Sequence, residues 1–315
     1  MSALKALNPN NLPTQALESW KFTNISRVLP GGLIEDIAEH VSDIHSDNGA
    51  RQNIVFMGED GKHQKPRLNI TVKRGESLTL IETQEGQGAY WKNMVTEITL
   101  EEGAKCEHIR FQNESMQAVS TNMVHMTLGR DSIYNGFAFN IGGKLTRHDI
   151  HAEIKGENAS CSFNGINLLH EKQHGDTTIL IEHQAPHCQS NQFYRSLVDD
   201  NARCVFQGKV HVHQVAQKTD AYQLSNTLLL SDKAEMDTKP ELEIYADDVK
   251  CSHGSTVGQM DEEPLFYLRS RGLKEADARL LLSEAYVAEV IEKIVDQDSV
   301  THITERAKSW LQSVL

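Results

Sequence analysis

At 315 residues, 39% hydrophobic and 24% charged, the chain has the make-up of an ordinary globular protein, with room for one large core or two modest ones. A net charge of −13 argues against binding to a phosphate backbone as its main business, and no apolar run approaches the roughly 18 residues of a membrane span. The five cysteines are odd in number and scattered, which reads as a reduced thiol set and not a disulfide framework.

The N-terminal MSALKALNPN has neither the basic and apolar regions of a secretory signal nor the Arg- and Ser-rich texture of a transit peptide, so a cytoplasmic protein is expected. Residues 1–52 read as a loosely packed helical segment punctuated by Pro9, Pro13 and Pro30-Gly31-Gly32, with a short helical apolar pattern over 33–41. From 53 to 258 short β-branched and apolar runs alternate with Gly, Asn and Asp turns, at 54–57, 68–72, 77–81, 95–100, 179–183, 210–215 and 242–246. No segment there has the length and 3.6-residue period of a covering helix. That texture fits a sandwich, a barrel or a parallel β-helix.

An internal repeat favours the β-helix. Glu102-Gly103-Ala104-Lys105-Cys106 resembles Glu157-Asn158-Ala159-Ser160-Cys161 and Asp200-Asn201-Ala202-Arg203-Cys204, and Asp232-Lys233-Ala234-Glu235-Met236 and Asp247-Asp248-Val249-Lys250-Cys251 continue the theme. Two copies extend further, as Cys161-Ser-Phe163-Asn-Gly165 and Cys204-Val-Phe206-Gln-Gly208. Like residues at like positions are the signature of a solenoid. The copies are 55, 43, 32 and 15 residues apart, which predicts irregular coils.

Residues 259–315 read as a helical module. Asp261-Glu262-Glu263-Pro264 is a helix start and Gly272 a C-terminal cap; Leu282, Tyr286, Val290 and Ile294 then recur at steps of four, and a last helix covers 299–313. The module is too small for a strong core of its own and must dock.

The chemistry concentrates at Cys251-Ser252-His253-Gly254. In a strand, residues two apart share a face, so thiol and imidazole project into the same space. Such a pair can hold a thiophilic metal, pass sulfur or fill a core. Cys106, Cys161 and Cys204 read as buried ladder fillers. The last repeat differs by placing His253 where earlier copies have Phe. Two ligands are too few for a closed structural zinc site, so another chain would have to complete the set.

From Asp232 to Glu263 ten acids meet three lysines, a local surplus of seven negative charges, which reads mainly as a solvated rim. The pairs His148/His151, His183/His187 and His211/His213 read as solvent-facing positions on a long β surface, although His211 and His213 share a strand face and could bind a metal. Gly142-Gly143-Lys144 lacks the first Gly and the hydroxyl of a phosphate loop, so no ATP site is expected.

The stretch from 199 to 273 resembles the SufB/SufD family of iron–sulfur cluster assembly subunits, on its SufD side. The residues that carry this are Phe206-Gln207-Gly208-Lys209, Ala216-Gln217-Lys218-Thr219-Asp220-Ala221, Leu228-Leu229-Leu230, Lys239-Pro240-Glu241-Leu242-Glu243-Ile244, the run from Asp247 to Gly258, and Phe266-Tyr267-Leu268-Arg269-Ser270-Arg271-Gly272; Glu18-Ser-Trp20-Lys-Phe22-Thr23 is similar to the family's N-terminal signature. The chain is shorter than many members, chiefly before the β region.

The resemblance implies a right-handed parallel β-helix flanked by N- and C-terminal helical segments. It implies a non-catalytic scaffold that pairs with SufB and binds the ATPase SufC through the C-terminal helices, with Leu265, Phe266, Tyr267, Arg269 and Arg271 receiving its motion. It also implies that Cys251 and His253 lie near the SufB–SufD interface and supply part of a transient iron or nascent Fe–S site shared with SufB. The isolated chain could pair with itself as a homodimer, and the role of flavin stays open. Two rivals remain: a β-helix polysaccharide hydrolase using Asp247 and Asp248, which the acidity and the adjacent placement of the two carboxylates disfavour, and a metal-free β-helical interaction protein.

Overall fold

Arg67–Val72 reads RLNITV, and Leu68, Ile70 and Val72 are buried while their neighbours are half-exposed. This period of two sets the register of the whole β region. The computed structural model describes residues 5–35, 40–46 and 49–315. Among them eighteen strands, from Ile34–Glu35 to Lys250–Gly258, run parallel in two sheets, ten in one and eight in the other, and from Arg67–Val72 onward they alternate between the two. From Arg67–Val72 onward each strand pairs with the next but one in sequence, and the four strands before it pair with the third strand on, so the chain winds as a parallel β-solenoid whose two sheets enclose a common core.

The repeat spacing follows from this winding. Tyr134 stands opposite both Cys106 and Cys161, so the 55-residue gap is two coils. Cys204 lies opposite Met236 in the other sheet, one coil of 32 residues. The gaps of 43 and 15 residues cross from sheet to sheet, one coil and a half and half a coil. The coils are regular, contrary to the sequence expectation. Turn sequences recur twice per coil because each coil has a corner into each sheet.

The corners explain the repeat residues. Gly103 and Asn158, second in their copies, take φ of 67° and 60°, the left-handed region that glycine and asparagine tolerate. The alanine that follows (Ala104, Ala159) is fully buried where the chain turns into the core.

Three helices, α1 (Glu262–Ser270), α2 (Glu275–Ile291) and α3 (Gln297–Val314), follow the last strand as expected. Asp261 caps α1 by accepting from the Glu263 N–H, and Gly272 leaves the helix at φ 95°. Val287, Val290, Ile291, Ile303, Trp310 and Leu311 cover the outward apolar residues of the eight-stranded sheet, among them Ile109, Phe139, Ile166 and Leu197. The small module thus docks on the solenoid wall.

The N-terminal segment departs from expectation. Among the described residues it is helical only as two single 3-10 turns, Glu18–Trp20 and Ile25–Arg27, and strands Ile34–Glu35 and Val41–His45 already belong to the solenoid. The middle of the expected helix over 33–41, residues 36–39, lies outside the described residues. The physical reason is the surface to be covered. Trp20 and Ile25 bury against Trp91, Val119 and Leu145, which come from successive coils, and an extended chain with side-chain anchors spans coils better than a short helix. The anchors are the signature residues themselves: the Thr23 hydroxyl donates to Asp176, the Arg147 guanidinium stacks 4.1 Å from the Trp20 ring centroid, and Lys239 pairs with Glu18.

Candidate functional site

The last strand, Lys250–Gly258, pairs only with Asp220–Leu229, and among the described residues its other edge has no strand partner. The same holds for Glu235–Ile244, the last strand of the other sheet. The solenoid therefore ends on two open edges.

Register fixes where the Cys/His pair points. Cys251 continues the inward column Cys106, Tyr134, Cys161, Ser190, Ala221, and His253 continues His108, Gly136, Phe163, Gln192, Gln223. Phe163 and His253 thus share a column, whereas Phe206 lies in the other sheet, opposite Thr238. Cys251 is half-buried and His253 exposed, because no further coil covers them. Burial pushes the Cys251 thiol above its ordinary pKa, the Asp220 carboxylate adds to this, and the Ala221 N–H opposes it. Across the last coil the Thr238 and Ser255 hydroxyls meet at 2.9 Å.

The same spacing occurs once more, unnoticed in the sequence, at Cys106-Glu107-His108. There both side chains are sealed: His108 Nε2 lies 2.9 Å from Glu82 Oε2 and Nδ1 3.1 Å from the Tyr134 hydroxyl, and burial pushes the Cys106 thiol up to about 12. Sealed in the core, that thiol is closed to a metal or reagent arriving from solvent. Cys161 and Cys204 are likewise buried and raised, the latter to about 12. Cys188, which stands outside the repeat slots, is also fully buried. Of five cysteines, only Cys251 is accessible.

The core behind the open end is polar. Both side-chain polar atoms of Gln192 and of Gln223, with the hydroxyls of Ser225 and Thr227, are buried without a protein partner. Buried polar groups of this kind are normally satisfied, so this end is suited to water or further polar groups and not to an apolar lid.

Residues 55–286 match the sequence model described as "SUF system FeS cluster assembly, SufBD core domain". The chain belongs to the SufBD core family. Within it, the chain is 34% identical to the iron–sulfur cluster assembly protein SufD of Escherichia coli over 84% of its own length and 65% of that protein's. It is 39% identical to an iron–sulfur cluster assembly SufBD family protein of Synechocystis over 73% of its length and 53% of that protein's, and 32% identical to a chloroplastic protein of Arabidopsis thaliana over 82% and 56%. The chain thus spans between half and two-thirds of the length of these SufBD relatives.

The remaining candidates of this SufBD chain sort by burial. In α1, Phe266 and Tyr267 are 74% and 56% exposed, with Arg269 paired to Glu275 and Arg271 over the Tyr267 ring. Leu265 is not on that face: it is 3% exposed and packs on Met260 and Ala278, where it anchors the helix. The histidine pairs are not uniformly solvent-facing. His183 is fully buried with Nε2 2.9 Å from the Ser190 hydroxyl, and burial lowers its pKa to about 4. His148 Nδ1 lies 3.1 Å from Arg110. His211 and His213 do share one face, their rings stacked 4.4 Å apart.

Asp247 and Asp248 form a bend, and Asp248 is paired with Lys218, an arrangement unlike two carboxylates facing each other across a sugar. Gly142-Gly143 turns between two strands, with no helix N-terminus to receive a phosphate, and the Lys144 ammonium donates to the Val28 carbonyl at 3.1 Å. No helix among the described residues is long and apolar enough to cross a membrane.

Proposed function

We propose that this SufBD chain is a non-catalytic scaffold subunit for iron–sulfur cluster assembly, pairing through its open C-terminal coil with a SufB subunit and receiving ATP-driven motion from SufC through the helical module. The observation that carries the reading is the accessible Cys251/His253 pair on an inward column that no further coil seals. Cys251 as thiolate and His253 through a neutral ring nitrogen would offer two of the donors that iron or a nascent cluster needs, with the rest from the partner. The exposed Phe266 and Tyr267, flanked by Arg269 and Arg271, give α1 an aromatic and cationic face suited to a protein partner.

The raised Cys251 thiol makes loading pH-dependent: the metal must displace a proton, so assembly weakens as pH falls. The test is co-expression with SufB and SufC, followed by size-exclusion chromatography and determination of iron and sulfide. A co-eluting complex whose cluster content falls in Cys251→Ser supports the reading. Full cluster content in that variant removes Cys251 as a ligand, and failure to co-elute removes the scaffold role.

A further inference from the structure

The outer face of the ten-stranded sheet carries a row of imidazoles and carboxylates that the cluster-assembly reading does not use. Glu182 stands opposite His211 in the ladder, and His211 opposite Glu243. His213 follows two residues after His211, just past the strand end at Val212, where its N–H still donates to the His183 carbonyl at 3.0 Å. One ligand atom from each of Glu182, His211 and His213 comes within 4.8 Å of the others, and among the described residues no other group of three His, Cys, Asp or Glu side chains does so. All three are half-buried.

We propose that Glu182, His211 and His213 form a binding site for a divalent first-row transition-metal ion, separate from the Cys251/His253 end. Two imidazoles and one carboxylate are the donor set that such ions prefer over magnesium or calcium. Around a tetrahedral ion at about 2.0–2.2 Å, donors sit roughly 3.4 Å apart. Closing from the present spacing requires only side-chain rotation on a rigid sheet.

Three further observations support the assignment. His213 Nε2 is shielded from solvent and makes no hydrogen bond to the protein, a cost that coordination would relieve. Glu243 Oε2 lies 3.5 Å from His211 Nδ1, and Oε1 of the same carboxylate is held by Lys209 at 2.7 Å, so Glu243 can keep the ring proton on Nδ1 and leave Nε2 for the metal. Glu182 is oriented by Gln184, whose amide donates to it at 3.0 Å, and His151 Nε2 lies 3.4 Å from the same carboxylate.

Cobalt(II) is a suitable probe, because its visible absorption reports imidazole and carboxylate ligation. Titration of the purified full chain is expected to show one saturable site whose band is unaffected by millimolar magnesium. The double variant His211→Ala/His213→Ala should weaken that site at least tenfold, and the isosteric Glu182→Gln should weaken it with thermal unfolding unchanged. Cys251→Ser should leave it intact, which separates this site from the solenoid end. Absence of saturable binding, or equal binding in the histidine double variant, overturns the proposal.

Discussion

His253 stands opposite Gln223 in the parallel ladder, at a position that three coils earlier is filled by the buried Phe163. It points inward yet is exposed, since it belongs to the last coil. The relation between Cys251 and Cys161 is the same, and it makes the two thiols a matched pair: one column, one residue type, opposite environments.

That pair yields a contrast. Cys161→Ser puts a hydroxyl into a sealed apolar slot and should cost about 2 kcal/mol of stability, measured by urea unfolding. Cys251→Ser should shift stability by less than about 0.5 kcal/mol while lowering cluster content in the co-expressed complex. Equal destabilisation by both would make Cys251 a core residue.

The N-terminal strap depends on Trp20. Trp20→Ala removes its packing on Trp91, Val119 and Leu145 and leaves the buried Arg147 without its aromatic cover, at a cost of about 3 kcal/mol. Limited proteolysis should then cut within residues 5–33 before any cut in the solenoid. A variant as stable and as resistant as the parent would show that the strap contributes nothing to the fold.

His183 gives a pH dependence with a definite sign. Its folded pKa, about 4, lies below the unfolded value near 6.5, so between these limits the unfolded chain binds the extra proton. Stability therefore rises with pH through that window and is lost on acidification. From pH 7 to pH 5 the single ring accounts for a loss of about 2 kcal/mol. His183→Gln should flatten the profile by that amount, read as the difference between urea midpoints at the two pH values. An unchanged slope would mean that His183 is not held neutral by burial.

The sequence made the solenoid legible because its repeat marks physical corners: left-handed turn residue, buried alanine, inward side chain. It obscured the coil length because both sheets use the same corner, so neighbouring copies lie whole or half coils apart. The N-terminal strap is not legible in the sequence, because Pro and Gly punctuation signals breaks but not what an extended segment will cover. The Cys251/His253 pair was visible as a motif. Its twin at Cys106/His108 shows that spacing alone does not decide function, since only position along the solenoid separates a sealed pair from an open one. The resemblance places Leu265 with Phe266 and Tyr267 in one partner-binding set, whereas helical rotation turns Leu265 to the opposite face.

That rotation is testable. Phe266→Ala/Tyr267→Ala should leave thermal stability within about 0.5 kcal/mol and reduce co-purification of SufC, whereas Leu265→Ala should loosen the helical module itself by about 2 kcal/mol. Undiminished SufC binding by the double variant would move the docking face away from α1.

The central claim is that the last coil presents Cys251 toward a seam with another subunit, and maleimide labelling of the native chain tests it most directly. The isolated chain should take up one equivalent quickly, at Cys251, with the other four thiols silent until unfolding, and that labelling should be suppressed at least tenfold in the complex with SufB. Equal labelling of Cys251 in the isolated chain and in the complex would contradict the account.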